Sequence, residues 1–389
     1  MTTVQKSTFK LEKALKLGAG IYRRSEGVTY EIIEPQALKQ HQHIRGGYPE
    51  RYPVESSFET GPVLLYAVAD GVVDVAAGIG LSGNGQVIRE SAVTLKLIDR
   101  YVTDWAGRSL DDAATFGPGH IIPLATQRTG NFCRWWLDSI SKIFLAERSV
   151  LVRELGADST GPAPATFLLP ELSSKFQQSS IRALATHLPQ ARMVPSGQER
   201  IRRGNYINAP GLTYGGGQRL GALVRDYGSY LRACFASLIE QRQGPRLLYL
   251  SRNESDMRRI VNEDQLLPRL RELGFEIIVA SEYEVLDQIG MFGRADLIVG
   301  AHGAGLTNII FSKPGAALVE IFPEGGVHGS AFLRIASHCQ MPYYYFVGDC
   351  VPNRRTQKNP NNSDIRVDCD SLLALLVEVM ADLTPVSPR

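Results

Sequence analysis

The stretch GAHGAGLTN, residues 300–308, continues the apolar run DLIV and leads into the helix-like IIFSKPG. A buried strand needs one turn residue to stop, yet three glycines and a histidine are spent here. Where a helix opens, its first N–H groups have no intrahelical acceptor and carry the positive end of the peptide dipoles. That end suits a phosphate. Gly303 and Gly305 leave the backbone of 303–306 open to such an anion, including the N–H groups of Ala304 and Leu306. His302 can donate to a phosphate oxygen or a sugar hydroxyl, and Thr307 and Asn308 can cap the helix or touch the ligand. The same residues also fit a tight turn with a capped helix and no ligand.

Spacing narrows the chemistry. GAHGAG is GxxGxG, whereas the dinucleotide fingerprint is GxGxxG between a strand and a helix. A GxGxxG does occur at GIGLSG (Gly78, Gly80, Gly83), but NGQVIRE follows it, a turn and strand, so it reads as a hairpin turn. The P-loop pattern GxxxxGK[ST] is absent from the sequence.

The elements that must position the glycine loop are legible around it. PRLLYLSR, FEIIVAS, DLIVGA, AALVEIFP and PYYYFVGD are apolar runs without alternation, and amphipathic segments stand between them. That pattern predicts a parallel sheet covered on both faces. Residues 1–115 read instead as short strands and hairpins, forming a β-rich part of an N-terminal domain. Residues 116–240 alternate strands and helices and end in a linker helix. Residues 241–389 form the clearest α/β domain, whose last helix is expected to pack back on the N-terminal domain. GLTYGGGQ, 211–218, reads as a hinge. Two α/β halves place a ligand between them, at the C-terminal ends of their strands.

Composition excludes several classes. The chain has 389 residues, 44% hydrophobic and 21% charged, with a net charge of +2. That balance suits a globular protein and argues against an extended nucleic-acid footprint. The five cysteines include no CxxC pair and read as reduced thiols. The N-terminus resembles no signal peptide and no run is long enough to span a membrane, so a cytoplasmic protein, at most peripheral at the inner face of the membrane, is expected.

GAHGAGLTNIIFSKPGAALVEIFP (300–323) resembles the signature of glycosyltransferase family 61. LLYLSRNESDMRRIVNED (247–264) is similar to that family's strand, Ser-Arg and Arg-Arg-x-x-x-Asn-Glu run. The resemblance implies a GT-B architecture, two facing Rossmann-like domains. It implies an inverting transferase that uses a sugar nucleotide, usually a UDP-sugar, with no bound metal or other cofactor. A bacterial-type member would act in capsule, lipopolysaccharide or exopolysaccharide synthesis, on a glycan or lipid-linked saccharide. NFCRWWLDSISK (131–142) matches less well: Asn131 and Asp138 hold their places, but Arg134 stands where histidine is expected and Ser141 where proline is common.

Within that reading the roles follow from the reaction. The leaving diphosphate needs charge stabilisation, the acceptor hydroxyl must lose a proton, and the two must align. Arg252, just after LLYLS, is the expected cationic contact, helped by Arg258 or Arg259. Glu320 is expected to take a ribose, its alternative being a pair with Arg334. Asp138 is the expected general base, with His302 and His328 as rivals. Asn131, Arg134 and Trp135 are placed on the acceptor side, Trp135 or Trp136 as a stacking platform against the alternative of core packing. A nucleotide-sugar binder without turnover is the alternative function.

Overall fold

The computed structural model describes residues 2–3, 5, 8–9, 20–23, 28–33, 44–46, 63–91, 95–117, 119–158, 161–162, 165–188, 191–209, 211–213, 223–241, 243, 246–326, 331–355 and 360–383. His328 and most of the expected hinge lie outside them. The chain divides into two compact units, Met1–Ala37 with Glu59–Leu223, and Leu38–Phe58 with Val224–Arg389. The boundary thus falls after Leu223, the first residue of the Leu223–Cys234 helix, rather than at the expected 240.

The first unit is built on one mixed sheet. Its antiparallel part centres on the Val63–Asp74 strand, which pairs with Val28–Ile33, Ile79–Leu81 and Ile201–Asn208. Its parallel part runs from Ile201–Asn208 through Ile121–Pro123 and Thr166–Leu169 to Arg192–Pro195. The β-rich N-terminal segment and the α/β segment after it therefore share a sheet. GIGLSG contains the 79–81 strand and leads into the turn before Val87–Ile88, a hairpin element as its flanks predicted. Gly78 is required there because a Cβ would stand 1.9 Å from the Ala125 carbonyl oxygen.

The second unit holds the predicted parallel sheet. Its strands lie in the order Phe275–Val279, Leu247–Ser251, Leu297–Ala301, Ala317–Pro323, Tyr343–Val351, with Asp364–Arg366 antiparallel at the far end. Ile44–Gly46 adds a parallel strand beside Tyr343–Tyr345. One face packs Tyr249, Val299 and Val319 against Leu266 and Leu270 of the Glu263–Glu272 helix. Leu372, Leu376 and Val379 of the final helix, Cys369–Leu383, join the same core. The final helix is therefore an integral part of this unit, since each buried leucine contributes ~1.5–3 kcal/mol here.

The order of these strands fixes where a ligand belongs. In chain order it reads 2-1-3-4-5, so the connections leave the first strand to one side and then turn back to the other. The reversal falls between 247–251 and 297–301. In open α/β sheets the crevice beyond the C-terminal ends of that strand pair is the binding position.

Candidate functional site

The two strands at the reversal carry Arg252 and the 302–305 loop at their C-terminal ends. Gly303 and Arg252 meet there. A Cβ at position 303 would stand 1.8 Å from Arg252 Nη1 and 2.6 Å from its Cζ. The backbone of Gly303 is extended, φ 176 and ψ 164, a conformation open to any residue. The glycine is thus demanded by the guanidinium, not by a left-handed backbone. Gly305 has no positive φ either, and its Cβ would meet Leu250 Cδ2 at 3.0 Å.

Arg252 donates from Nη2 to Ser255 Oγ at 2.8 Å and to the Met257 carbonyl at 3.3 Å. Its Nε is buried without an acceptor, and so is Arg258 Nε. Single orphaned guanidinium nitrogens also occur on Arg89, Arg202 and Arg294. The pair at 252 and 258 differs because the two like charges act on each other: burial first, then Arg258, pulls Arg252 down to about 10. Burial also lowers Arg258, with Glu320 opposing. Both stay cationic at neutral pH. Arg258 holds a left-handed backbone, φ 58, which costs a non-glycine residue on the order of 1 kcal/mol or more. Arg259 is engaged elsewhere, bonding Asp364 through Nη2 at 2.8 Å and Nε at 3.2 Å.

His302 is fixed on three sides. Its Nδ1 lies 2.5 Å from Glu320 Oε1, its ring stacks on Phe322 with centroids 5.4 Å apart, and Phe332 meets it edge-on at 5.3 Å. The Tyr343 hydroxyl donates to Glu320 Oε2 at 2.7 Å. Glu320 is 2% exposed with both oxygens engaged, so its place is behind His302 rather than open to a ribose.

The helix after the loop, Ala304–Phe311, is a 3₁₀-helix. Its first N–H groups, on Ala304 and Gly305, lack an intrahelical acceptor. The Leu306 N–H is taken by the Gly303 carbonyl at 3.0 Å, and the Leu306 side chain is core. Thr307 and Asn308 are fully buried, so neither side chain is open to the crevice. Asn308 Nδ2 instead donates to Gln288 Oε1 at 2.8 Å and the Gly305 carbonyl at 3.1 Å. Among the described residues no His/Cys/Asp/Glu group could hold a metal ion.

In the first unit, Asn131 caps a helical turn, its side chain accepting from the Arg134 N–H at 3.1 Å. Trp135–Ile140 then winds as a π-helix, a form that recurs at functional sites. Trp135 and Trp136 are both fully buried, and Trp135 Nε1 donates to Ser180 Oγ at 2.6 Å. They are core residues, and the expected sugar platform is absent from them. Asp138 is enclosed as well. It accepts from the Thr213 N–H at 2.9 Å, the Thr213 hydroxyl lies 2.7 Å from both its oxygens, and Arg134 Nη1 stands 3.3 Å away. Arg134 Nη1 also contacts the Thr213 hydroxyl. Gly211, at φ +89, packs its Cα side against Asp138, where a Cβ would stand 2.4 Å from the Asp138 Cα. Burial raises the Asp138 carboxyl from 3.8 to about 6 against the opposing pull of Arg134, Thr213 and Lys142. Thr213 went unread in the sequence because it only borders a glycine-rich stretch and belongs to no motif.

The chain belongs to the glycosyltransferase 61 family, whose profile matches residues 121–319, just over half of its 389 residues. Named relatives agree with that membership. The chain is 39% identical over 87 residues to an alpha-1,3-arabinosyltransferase of Oryza sativa subsp. japonica, covering 21% of this chain and 15% of the relative. It is 31% identical over 137 residues to a beta-1,2-xylosyltransferase of the same plant, covering 32% and 24%. It is 31% identical over 133 residues to the EGF domain-specific O-linked N-acetylglucosamine transferase of Mus musculus, again 32% and 24%. The chain thus matches under a quarter of these relatives' lengths.

Proposed function

We propose that the protein transfers a sugar from a nucleotide sugar to a glycan acceptor. The observation that carries this reading is the pair of half-buried arginines, Arg252 and Arg258, each with a buried Nε that has no acceptor, near the strand reversal where Arg252 meets Gly303. Among the described residues neither forms a salt bridge, so a diphosphate would supply the acceptors they lack. His302 and the N–H groups of Ala304 and Gly305 complete the anion's partners.

In this reading the donor is a UDP-sugar and the two units take the GT-B roles, the unit of Leu38–Phe58 and Val224–Arg389 for the donor and that of Met1–Ala37 and Glu59–Leu223 for the acceptor. The acceptor oxygen attacks the anomeric carbon with inversion, the bond to the diphosphate breaks, and a general base, the role proposed for Asp138, takes the acceptor's proton. The setting proposed is bacterial polysaccharide synthesis. Two guanidiniums supply the positive charge that a divalent cation supplies elsewhere, so EDTA should leave transfer intact. Arg252→Ala should weaken UDP binding about 10- to 150-fold, the equivalent of ~1.5–3 kcal/mol for a charge-assisted contact. Calorimetric titration of UDP measures this; unchanged affinity, or activity lost to EDTA and restored by Mn²⁺, counts against the site.

A second reading, nucleotide-sugar binding without turnover, is favoured by the enclosure of Asp138. The carboxylate can take a proton only after Thr213 yields. Asp138→Asn separates the readings: a transferase should keep UDP binding and lose ~10²–10⁴ in rate. The same variant tests the burial. A carboxyl raised from 3.8 to about 6 binds a proton on folding between those values. Wild-type stability should therefore fall as pH rises from about 4 to about 6, since the folded state binds more protons there. Asp138→Asn should flatten that part of the profile, and an unchanged slope would assign it to other groups.

A further inference from the structure

We infer that Tyr343 and Glu320 are positioning residues that act through His302, fixing its ring so that Nε2 alone is left for a phosphate oxygen of the donor. The inference rests on the donor reading above, and deepens it by assigning a residue, Tyr343, that no motif marks. Three observations carry it. Glu320 is buried, and its two oxygens are divided between His302 Nδ1 at 2.5 Å and the Tyr343 hydroxyl at 2.7 Å. The ring cannot swing away, because Phe322 covers one face and Phe332 meets it edge-on. His302 itself keeps 22% of its side chain exposed while Glu320 keeps 2%, so the histidine is the one member that meets solvent.

Proton placement follows from the donors. Tyr343 can only donate to a carboxylate oxygen that accepts, and the charge of Arg258 acts on the same carboxylate. With Oε2 taken by the tyrosine, Oε1 is the oxygen left to hold His302 Nδ1. A carboxylate oxygen facing Nδ1 accepts its proton, which leaves Nε2 as the ring atom that faces the anion, a donor there when the ring carries both protons. A donor aimed before the substrate arrives needs no reorganisation as charge builds on the leaving diphosphate. Tyr343 reaches this site because the 343–351 strand lies beside 317–323, with Tyr343 opposite Leu318, two residues from Glu320.

A double-mutant cycle on UDP affinity tests the inference. Tyr343→Phe should weaken UDP binding about 3- to 10-fold, and His302→Ala more. The double variant should bind no more weakly than His302→Ala alone, because the tyrosine has nothing left to position. Glu320→Gln, which keeps the shape and removes the charge, should show the same loss of additivity, and guards against a Tyr343 variant that does not fold. Nitrogen-detected spectra of labelled histidine should show Nδ1 of His302 protonated in wild type and the ring's signals shifted in Glu320→Gln. Full additivity, wild-type affinity in Tyr343→Phe, or an unprotonated Nδ1 overturns the inference while UDP still binds. Failure of the wild type to bind UDP, or binding indifferent to Arg252→Ala, overturns the donor reading and the phosphate role of His302 with it.

Discussion

Replacing Gly303 with valine removes nucleoside-diphosphate binding from a chain that still folds. The backbone at 303 is extended, so a β-branched residue meets no dihedral penalty. What it meets is Arg252, whose Nη1 lies 1.8 Å from where the Cβ must go. Contact at that distance is impossible, and the guanidinium must leave its place beside the loop. Binding then loses the charge-assisted contact and the open backbone together, a fall in UDP affinity of at least about 100-fold, or ~2.7 kcal/mol. Gly305→Ala is the control from the same loop. Its Cβ presses on Leu250 Cδ2, the free end of a side chain that can turn away, so affinity should fall less than about threefold. Thermal midpoints and UDP titrations of both variants decide the matter. Wild-type affinity in a folded Gly303→Val would reduce the glycine to a turn residue and Arg252 to a loop staple.

The sequence carried the second unit well, and for a physical reason. Buried parallel strands must be apolar on both faces, so LLYLS, FEIIV, LIVGA and ALVEIFP announce themselves as runs. Arg252 and the glycine loop were legible as neighbours of strand ends because an arginine and glycines directly after a buried apolar run leave a local mark. The reversal of strand order was not, because pairing partners are chosen by packing and not by neighbouring residues. Tyr343 was invisible for the same reason: it meets Glu320 across 23 positions of sequence. NFCRWWLD misled in a different way. Tryptophans suit a sugar surface or a core equally well, and only the folded structure shows that both of these are buried. Thr307 and Asn308 read as polar and available, yet the 3₁₀ turn sends them inward.

Lys142 shows what the first unit needs to hold its shape. It lies on the helix after the π turn and is almost fully buried. Its ammonium donates to the Pro123 carbonyl at 2.8 Å, the Ala125 carbonyl at 3.1 Å and Asn208 Oδ1 at 2.8 Å. Asn208 in turn donates to the Gly78 carbonyl at 3.0 Å. One cation thus ties the ends of the 121–123 and 201–208 strands to the hairpin at Gly78. Burial pulls Lys142 down to about 7, opposed by Asp138 four residues earlier. Three acceptors match three ammonium hydrogens, so the geometry keeps the proton on. Lys142→Met fills the same space, and it abolishes the burial cost of the charge. It also takes the ammonium from three acceptors; Asn208 Oδ1 keeps the Ala209 N–H at 2.9 Å, so the loss falls on the Pro123 and Ala125 carbonyls, each worth ~1–3 kcal/mol. The acceptor loss outweighs the relief, and a net destabilisation of ~3 kcal/mol is expected, roughly 10 °C in the midpoint of a unit of this size. The three tryptophans of the chain, Trp105, Trp135 and Trp136, all belong to this unit. Their emission therefore reports on the unfolding of this unit, and on the proposed donor reading UDP affinity, a property of the second unit, should stay as it was. A Lys142→Met midpoint within a degree or two of wild type would mean that the strand ends hold without the clamp, and that the buried charge is tolerated rather than used.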